Sequence, residues 1–183
     1  MYQFINDYNT IISFLSSIFT IIATFIALIT ILIWKKQQKF SIKINLLMDL
    51  EDSYEILFTK YIEEYHFTLR LLNTVKTNKT QSNQEINKLI DKELATRKEN
   101  ELSISGQKYE LSFIRAIRFF PELDKYDFLK KSYLDKVFEK NLQELSSKIL
   151  NTDAEKIAID YFKELLEIKK DAIKKITKLR KAL

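Results

Sequence analysis

The chain has 183 residues and a formal net charge of +5, with one histidine, one glycine, one proline and no cysteine. Lack of cysteine excludes disulfides, thiolate metal sites and cysteine nucleophiles, and a single glycine cannot build a phosphate-cradling loop. The small net charge, with acids interleaved among the bases, argues against a nucleic-acid surface.

The first element is the run IISFLSSIFTIIATFIALITILIW, residues 11–34, which has no charge, no Gly and no Pro. About 20 apolar residues suffice to cross the ~30 Å hydrocarbon core as a helix, so this run predicts a transmembrane span. The flank before it carries Asp7 alone, whereas Lys35, Lys36, Lys39 and Lys43 come after it. Positive flanks stay inside, which predicts an outward N-terminus (1–10) and a cytoplasmic remainder (35–183), and the many Ile, Lys and Asn residues suggest a bacterial inner membrane. Trp34, Lys35, Lys36 and Lys39 are the expected interfacial collar, with Tyr2, Phe4 and Tyr8 facing the opposite interface. A cleaved signal peptide would need a basic start, a shorter apolar core and a small-residue cleavage site, none of which is present.

Within the span, Ser13, Ser16, Ser17, Thr20, Ala23, Thr24, Ala27 and Thr30 fall on one side, and steps such as 13-17-20-24-27 follow a three-four rhythm. Small residues let helices approach closely, and hydroxyls bond across the contact for ~0.6 kcal/mol each. Ser13, Ser17, Thr20, Thr24 and Ala27 are therefore the candidate self-association or pore stripe. The alternative is a lone anchor whose hydroxyls bond their own i−4 carbonyls.

With almost no turn chemistry, helix is the default for the rest. Phe40, Ile44, Leu47, Leu50, Tyr54, Leu57, Phe58, Tyr61, Tyr65, Leu69 and Leu72 keep helical spacing. One helix is predicted from about Tyr8 to about Thr74. A polar turn (73–84) carries the sequon Asn78-Lys79-Thr80, idle in a cytoplasmic placement. A second helical region, about Asn83 to Phe120, presents Ile86, Leu89, Ile90, Leu94, Ile104, Leu111, Ile114 and Ile117. It is expected to break near Ser103–Gln107, where Gly106 costs ~1 kcal/mol against Ala, and to end before Pro121. The third helix is predicted from about Lys125 to Leu150, with Phe128, Leu129, Leu134, Val137, Phe138, Leu142, Leu145 and Ile149 inward. Thr152 and Glu155 fit a capping box. The last helix, about Asp153 to Lys181, carries the seam Ala158, Tyr161, Leu165, Ile168, Ala172, Ile176, Leu179 and Leu183. The predicted architecture is a four-helix bundle whose longest strut continues the membrane helix, assembled as a homo-oligomer.

Chemistry-bearing residues are sparse. Glu63 and His66 stand one helical turn apart, a spacing used by di-iron bundles, but the second copy would need another His. No metal and no cofactor is predicted. No nucleophile motif surrounds His66, so no catalytic residue is assigned. Arg115 and Arg118 near a helix end are expected to pair with Glu122 or Asp124, or alternatively to bind an anion. The basic C-terminal run, with Lys170, Lys174, Lys178 and Lys181, fits a solvated outer face, or alternatively an anionic lipid surface.

The uncharged 11–34 span, the WKKQQKF junction and the helical remainder resemble small single-pass proteins of bacterial antiphage systems, including the membrane accessory proteins beside Cas13b-type effectors. Some of these are HEPN-like and assemble into rings or pores. HEPN nucleases need an Arg shortly before a His. Here Thr59, Lys60 and Tyr61 occupy those positions, so a fold of that type would be catalytically degenerate. The resemblance implies a non-enzymatic effector that oligomerises and perturbs the inner membrane. The alternative is a passive adaptor tethering a cytoplasmic protein partner.

Overall fold

The computed structural model describes residues 2–78, 83–95, 100–148 and 154–183, which are mostly helix, with no strand among them. There are five α-helices: α1 (Tyr2–Thr77), α2 (Asn83–Leu94), α3 (Glu101–Ile117), α4 (Lys131–Lys148) and α5 (Ala154–Lys181). Two short 3-10 turns, Pro121–Lys125 and Asp127–Leu129, separate α3 from α4. The chain divides into two compact units, Met1–Ile42 and Lys43–Leu183.

No Gly or Pro interrupts residues 2–77, so nothing breaks the α1 hydrogen-bond ladder. It ends where Thr77 Oγ1 donates to the Asn73 carbonyl at 2.9 Å and Asn78 Nδ2 to the Thr74 carbonyl at 2.8 Å. Both side chains satisfy carbonyls that have no further turn to bond.

The core of the 43–183 unit lies along one face of α1, where Leu47, Leu50, Tyr54, Leu57, Phe58, Tyr61 and Tyr65 are buried at helical spacing. Each successive ring meets a different helix. Tyr54 packs edge-on to Tyr109 of α3 (5.4 Å between centroids), Tyr61 against Phe138 of α4 (5.0 Å) and Tyr65 against Tyr161 of α5 (4.2 Å). Ion pairs reinforce the α5 contact: Arg180 reaches Glu51 at 2.7 Å and Lys169 reaches Glu55 at 3.6 Å. The expected seam of α5 holds, with Ala158, Tyr161, Leu165, Ala172 and Ile176 buried, although Leu183 is exposed. On α4, Leu134, Phe138 and Leu145 are buried as expected.

Three expectations are corrected. Instead of breaking near Gly106, the helix α3 runs from Glu101 through that residue to Ile117, while α2 ends at Leu94. Gly106 lies inside α3, buried, where a Cβ would meet Lys131 Cε at 2.5 Å. The atoms it would meet belong to the flexible end of the Lys131 side chain, so this glycine marks neither a turn nor a close backbone approach. The positive φ sits instead on Asn100, at 72°, a conformation Asn tolerates better than most residues.

The inward face of α3 is also reassigned. Tyr109, Phe113 and Ala116 are buried, whereas Ile104, Leu111 and Ile114 are exposed at 50%, 56% and 41%. Both rows have helical spacing, and the larger rings took the core side. Finally, the third helix begins at Lys131, not Lys125. Pro121 at the start of the first 3-10 turn and extended backbone at Tyr126 hold the intervening segment out of α-helix. Leu123 and Leu129 still fill the core from these turns. The sequon residues Lys79 and Thr80, the capping box at Thr152 and the inward Ile149 lie outside the described residues.

The buried tyrosine hydroxyls divide into two kinds. Tyr61 donates to Asp135 and Tyr109 to the Leu129 carbonyl. The hydroxyls of Tyr54, Tyr65 and Tyr161 have no hydrogen-bond partner among the described residues. Removing a partnered donor strands its acceptor, which costs ~1–3 kcal/mol, whereas removing an unpartnered one relieves desolvation. Tyr109→Phe is therefore expected to destabilise the protein by ~1–3 kcal/mol and Tyr54→Phe to be neutral or stabilising, as read by urea unfolding.

Burial raises the phenol pKa of all five rings, with the Asp135 hydrogen bond adding to the effect at Tyr61. Tyr65 is pushed up to about 12 from its ordinary 10.0. A raised phenol pKa favours the neutral form in the fold, so this stability is complete below pH ~10. It should fall above that by ~1.4 kcal/mol per pH unit for each buried ring. Alkaline unfolding tracked by far-UV circular dichroism should coincide with the tyrosinate absorbance of the five buried rings, among the nine tyrosines of the chain. Ionisation of those five while the helices remain intact would contradict this.

Candidate functional site

Residues 11–34 are helical and exposed at every position. At 1.5 Å per residue the segment is ~36 Å long, and it is the part of α1 long and apolar enough to cross a membrane. Each large apolar side chain left in water forgoes ~1.5–3 kcal/mol of burial. Phe14, Leu15, Phe19, Ile22, Phe25 and Ile29 are among those exposed here. Such a surface is stable only against something apolar.

The hydroxyls of this segment turn inward onto their own helix. Ser17 donates to the Ser13 carbonyl (2.9 Å), Thr20 to Ser16 (2.9 Å), Thr24 to Thr20 (2.8 Å) and Thr30 to Ile26 (2.8 Å). These bonds satisfy four hydroxyl protons within the helix. The stripe Ser13, Ser17, Thr20, Thr24 and Ala27 is thus a low ridge of small side chains. Trp34, Lys35, Lys36 and Lys39 are exposed on the next turns. The local geometry accommodates lipid and a close helix neighbour equally well.

In the 43–183 unit, a cleft of about 760 Å³ is lined by residues including Lys60, Glu63, His66, Phe67, Arg70 and Glu101. Its charges are mutually engaged. Lys60 bridges Glu63 at 2.6 Å and Glu101 at 2.7 Å, hydrogen bonds that raise the lysine pKa, and Arg70 reaches Glu93 at 3.8 Å. His66 is exposed and lies against the Phe162 ring at 4.9 Å. Glu63 therefore turns to Lys60 rather than forming a pair with His66. Among the described residues no group of three or more His, Cys, Asp or Glu is placed to hold a metal ion.

Arg115 and Arg118 do not make the ion pairs expected of them. Asp124 pairs with Lys130 at 3.7 Å, and both arginines are exposed on and just beyond α3 without an ion pair among the described residues. The basic run of α5 does form an outer face, with Lys170, Lys174, Lys178 and Lys181 exposed. Between them Lys175 lies over the Tyr126 ring at 4.6 Å and Arg180 holds Glu51, so this helix uses part of its charge for packing.

Sequence reasoning overlooked two surfaces. One is the outer row of α3, hidden because Ile104, Leu111 and Ile114 look like core. The other is the outer row of α1 beyond residue 43, where Asp49 and Asp52 accompany exposed Ile56. A wheel of α1 drawn away from its tyrosine face would have found the second. No protein-family model, curated protein or solved structure matches the chain.

Proposed function

We propose that this chain is a single-pass protein of the bacterial inner membrane, with its N-terminus outside and the 43–183 unit a cytoplasmic helical bundle. It acts by self-association rather than by catalysis. The observation that carries this reading is the uncharged, fully exposed helix 11–34 adjoining Trp34, Lys35, Lys36 and Lys39. An apolar surface of that length is soluble in lipid and not in water, and the lysine collar favours the cytoplasmic side for residues 35–183.

Protomers meet along the ridge of Ser13, Ser17, Thr20, Thr24 and Ala27, where small side chains allow backbone approach and the Ser17, Thr20 and Thr24 hydroxyls are already bonded. The biological setting is an antiphage effector whose oligomer perturbs the membrane, supported by the layout shared with membrane accessory proteins of such systems. A second reading, a passive adaptor for a soluble protein, is favoured by the exposed apolar row on α3.

Alkaline carbonate washing of membranes is expected to leave the protein in the pellet; recovery from the supernatant would defeat the anchor. Replacing Ser17, Thr20 and Thr24 together with Leu should lower the particle mass in detergent toward the 21.8 kDa protomer. An unchanged mass would remove the stripe as the contact. Induced expression of an effector should collapse the membrane potential, whereas an adaptor should leave it intact and co-purify with a soluble partner.

A further inference from the structure

Two unpartnered helix faces of the 43–183 unit are opposite in charge and alike in apolar content. The outer row of α3 carries exposed Ile104, Leu111 and Ile114 between the exposed cations Lys108, Arg115 and Arg118. The outer row of α1 carries exposed Met48 (46%) and Ile56 (52%) among exposed Asp49, Asp52 and Glu63. Of these charges only Glu63 is in an ion pair, with Lys60; the other five have none among the described residues. Free charges around a solvent-exposed apolar strip leave both attraction and burial unused within one copy.

We propose that the basic face of α3 in one copy docks on the acidic face of α1 in the next, building a head-to-tail assembly of this chain. The inference rests on the membrane-anchored, self-associating reading above and adds a second contact outside the lipid. The fold supplies the register. α3 runs antiparallel to α1, because Glu101 reaches Lys60 (2.7 Å), Tyr109 packs on Tyr54 (5.4 Å) and Phe120 receives Lys43 (5.6 Å). On that ladder Arg115 lies level with Asp49, and Lys108 lies within a turn of Asp52 and Ile56. Copies related by rotation about an axis parallel to these helices stand at one height, so their residues meet at these levels. Ile104, Leu111 and Ile114 then cover Met48 and Ile56. Such a contact is heterologous, and it closes into a ring where the rotation per copy permits.

The test uses the full chain in detergent and in native membranes. The pair Arg115→Glu with Arg118→Glu, and separately Asp49→Arg with Asp52→Arg, should each raise the concentration for half-dissociation at least tenfold. Combining all four changes in one chain should restore the assembly. Every site is on the surface, and an unchanged circular-dichroism melt verifies that each variant folds.

The chain has no cysteine, so single replacements report unambiguously. Asp49→Cys protein mixed with Arg115→Cys protein should form a disulfide dimer on mild oxidation, and neither should do so alone. If all charge variants keep their mass and no mixed cross-link forms, while the Ser17, Thr20 and Thr24 replacements still dissociate the protein, this contact is wrong and the span assembly stands. If Arg115→Cys is shielded from a water-soluble maleimide only in phosphatidylglycerol vesicles, at unchanged mass, the face belongs to lipid and the contact is likewise overturned. A wild-type protein that is monomeric in native membranes, with no mixed disulfide between the two cysteine variants, overturns both readings.

Discussion

Tyr54, Tyr61 and Tyr65 are the groups on which the 43–183 unit is organised. They lie on one face of α1, and each takes a ring from a different helix: Tyr109, Phe138 and Tyr161. Large flat rings bury much apolar area, and offset or edge contacts add ~0.5–1.5 kcal/mol to that burial. The same rings bring hydroxyls into the core. Those of Tyr61 and Tyr109 are bonded, to Asp135 and to the Leu129 carbonyl, whereas those of Tyr54, Tyr65 and Tyr161 have no partner among the described residues. The unit therefore combines strong packing with a polar cost, which makes the tyrosines the place where stability responds most to substitution and to alkali.

Around this spine the charges sort by what they can reach. Glu51 and Glu55 hold Arg180 and Lys169, drawing α5 onto α1, and Lys60 ties α1 to α3 through Glu101. These pairs are partly exposed, and each is worth little by itself. Their effect is on register, since they fix which turn of each helix stands beside which turn of α1. The charges left over, on the outer rows of α1 and α3, are those the proposed contact between copies employs.

The apolar segment of α1 obeys a different solvation rule. In 11–34 every residue is exposed, and in the 43–183 unit the apolar residues of the same helix face a core. The hydroxyls of Ser17, Thr20 and Thr24 bond within their own helix, which keeps donors satisfied where water is scarce. The proposed span is then a surface whose shape, more than its hydrogen bonding, selects a neighbour.

Helicity, the apolar span, the run of α1 and the seam of α5 were legible in the sequence, because local spacing and the near absence of Gly and Pro determine them without reference to anything distant. The orientation of α3 was not, since Ile104-Leu111-Ile114 and Tyr109-Phe113-Ala116 both have helical period. Only the space beside Tyr54 decided that the rings go inside. Gly106 read as a breaker on local propensity alone, yet it lies buried inside α3 beside the Lys131 side chain, which is outside any local window. That Arg115 and Arg118 stay without an ion pair among the described residues was equally beyond reach, because the nearby acid Asp124 turns to Lys130 across the 3-10 turns. Short-range sterics and periodicity assign each segment its type, and both can be read along the chain. Which face of a segment meets which neighbour emerges only on packing, because burial depends on the volumes that several helices offer one another at once.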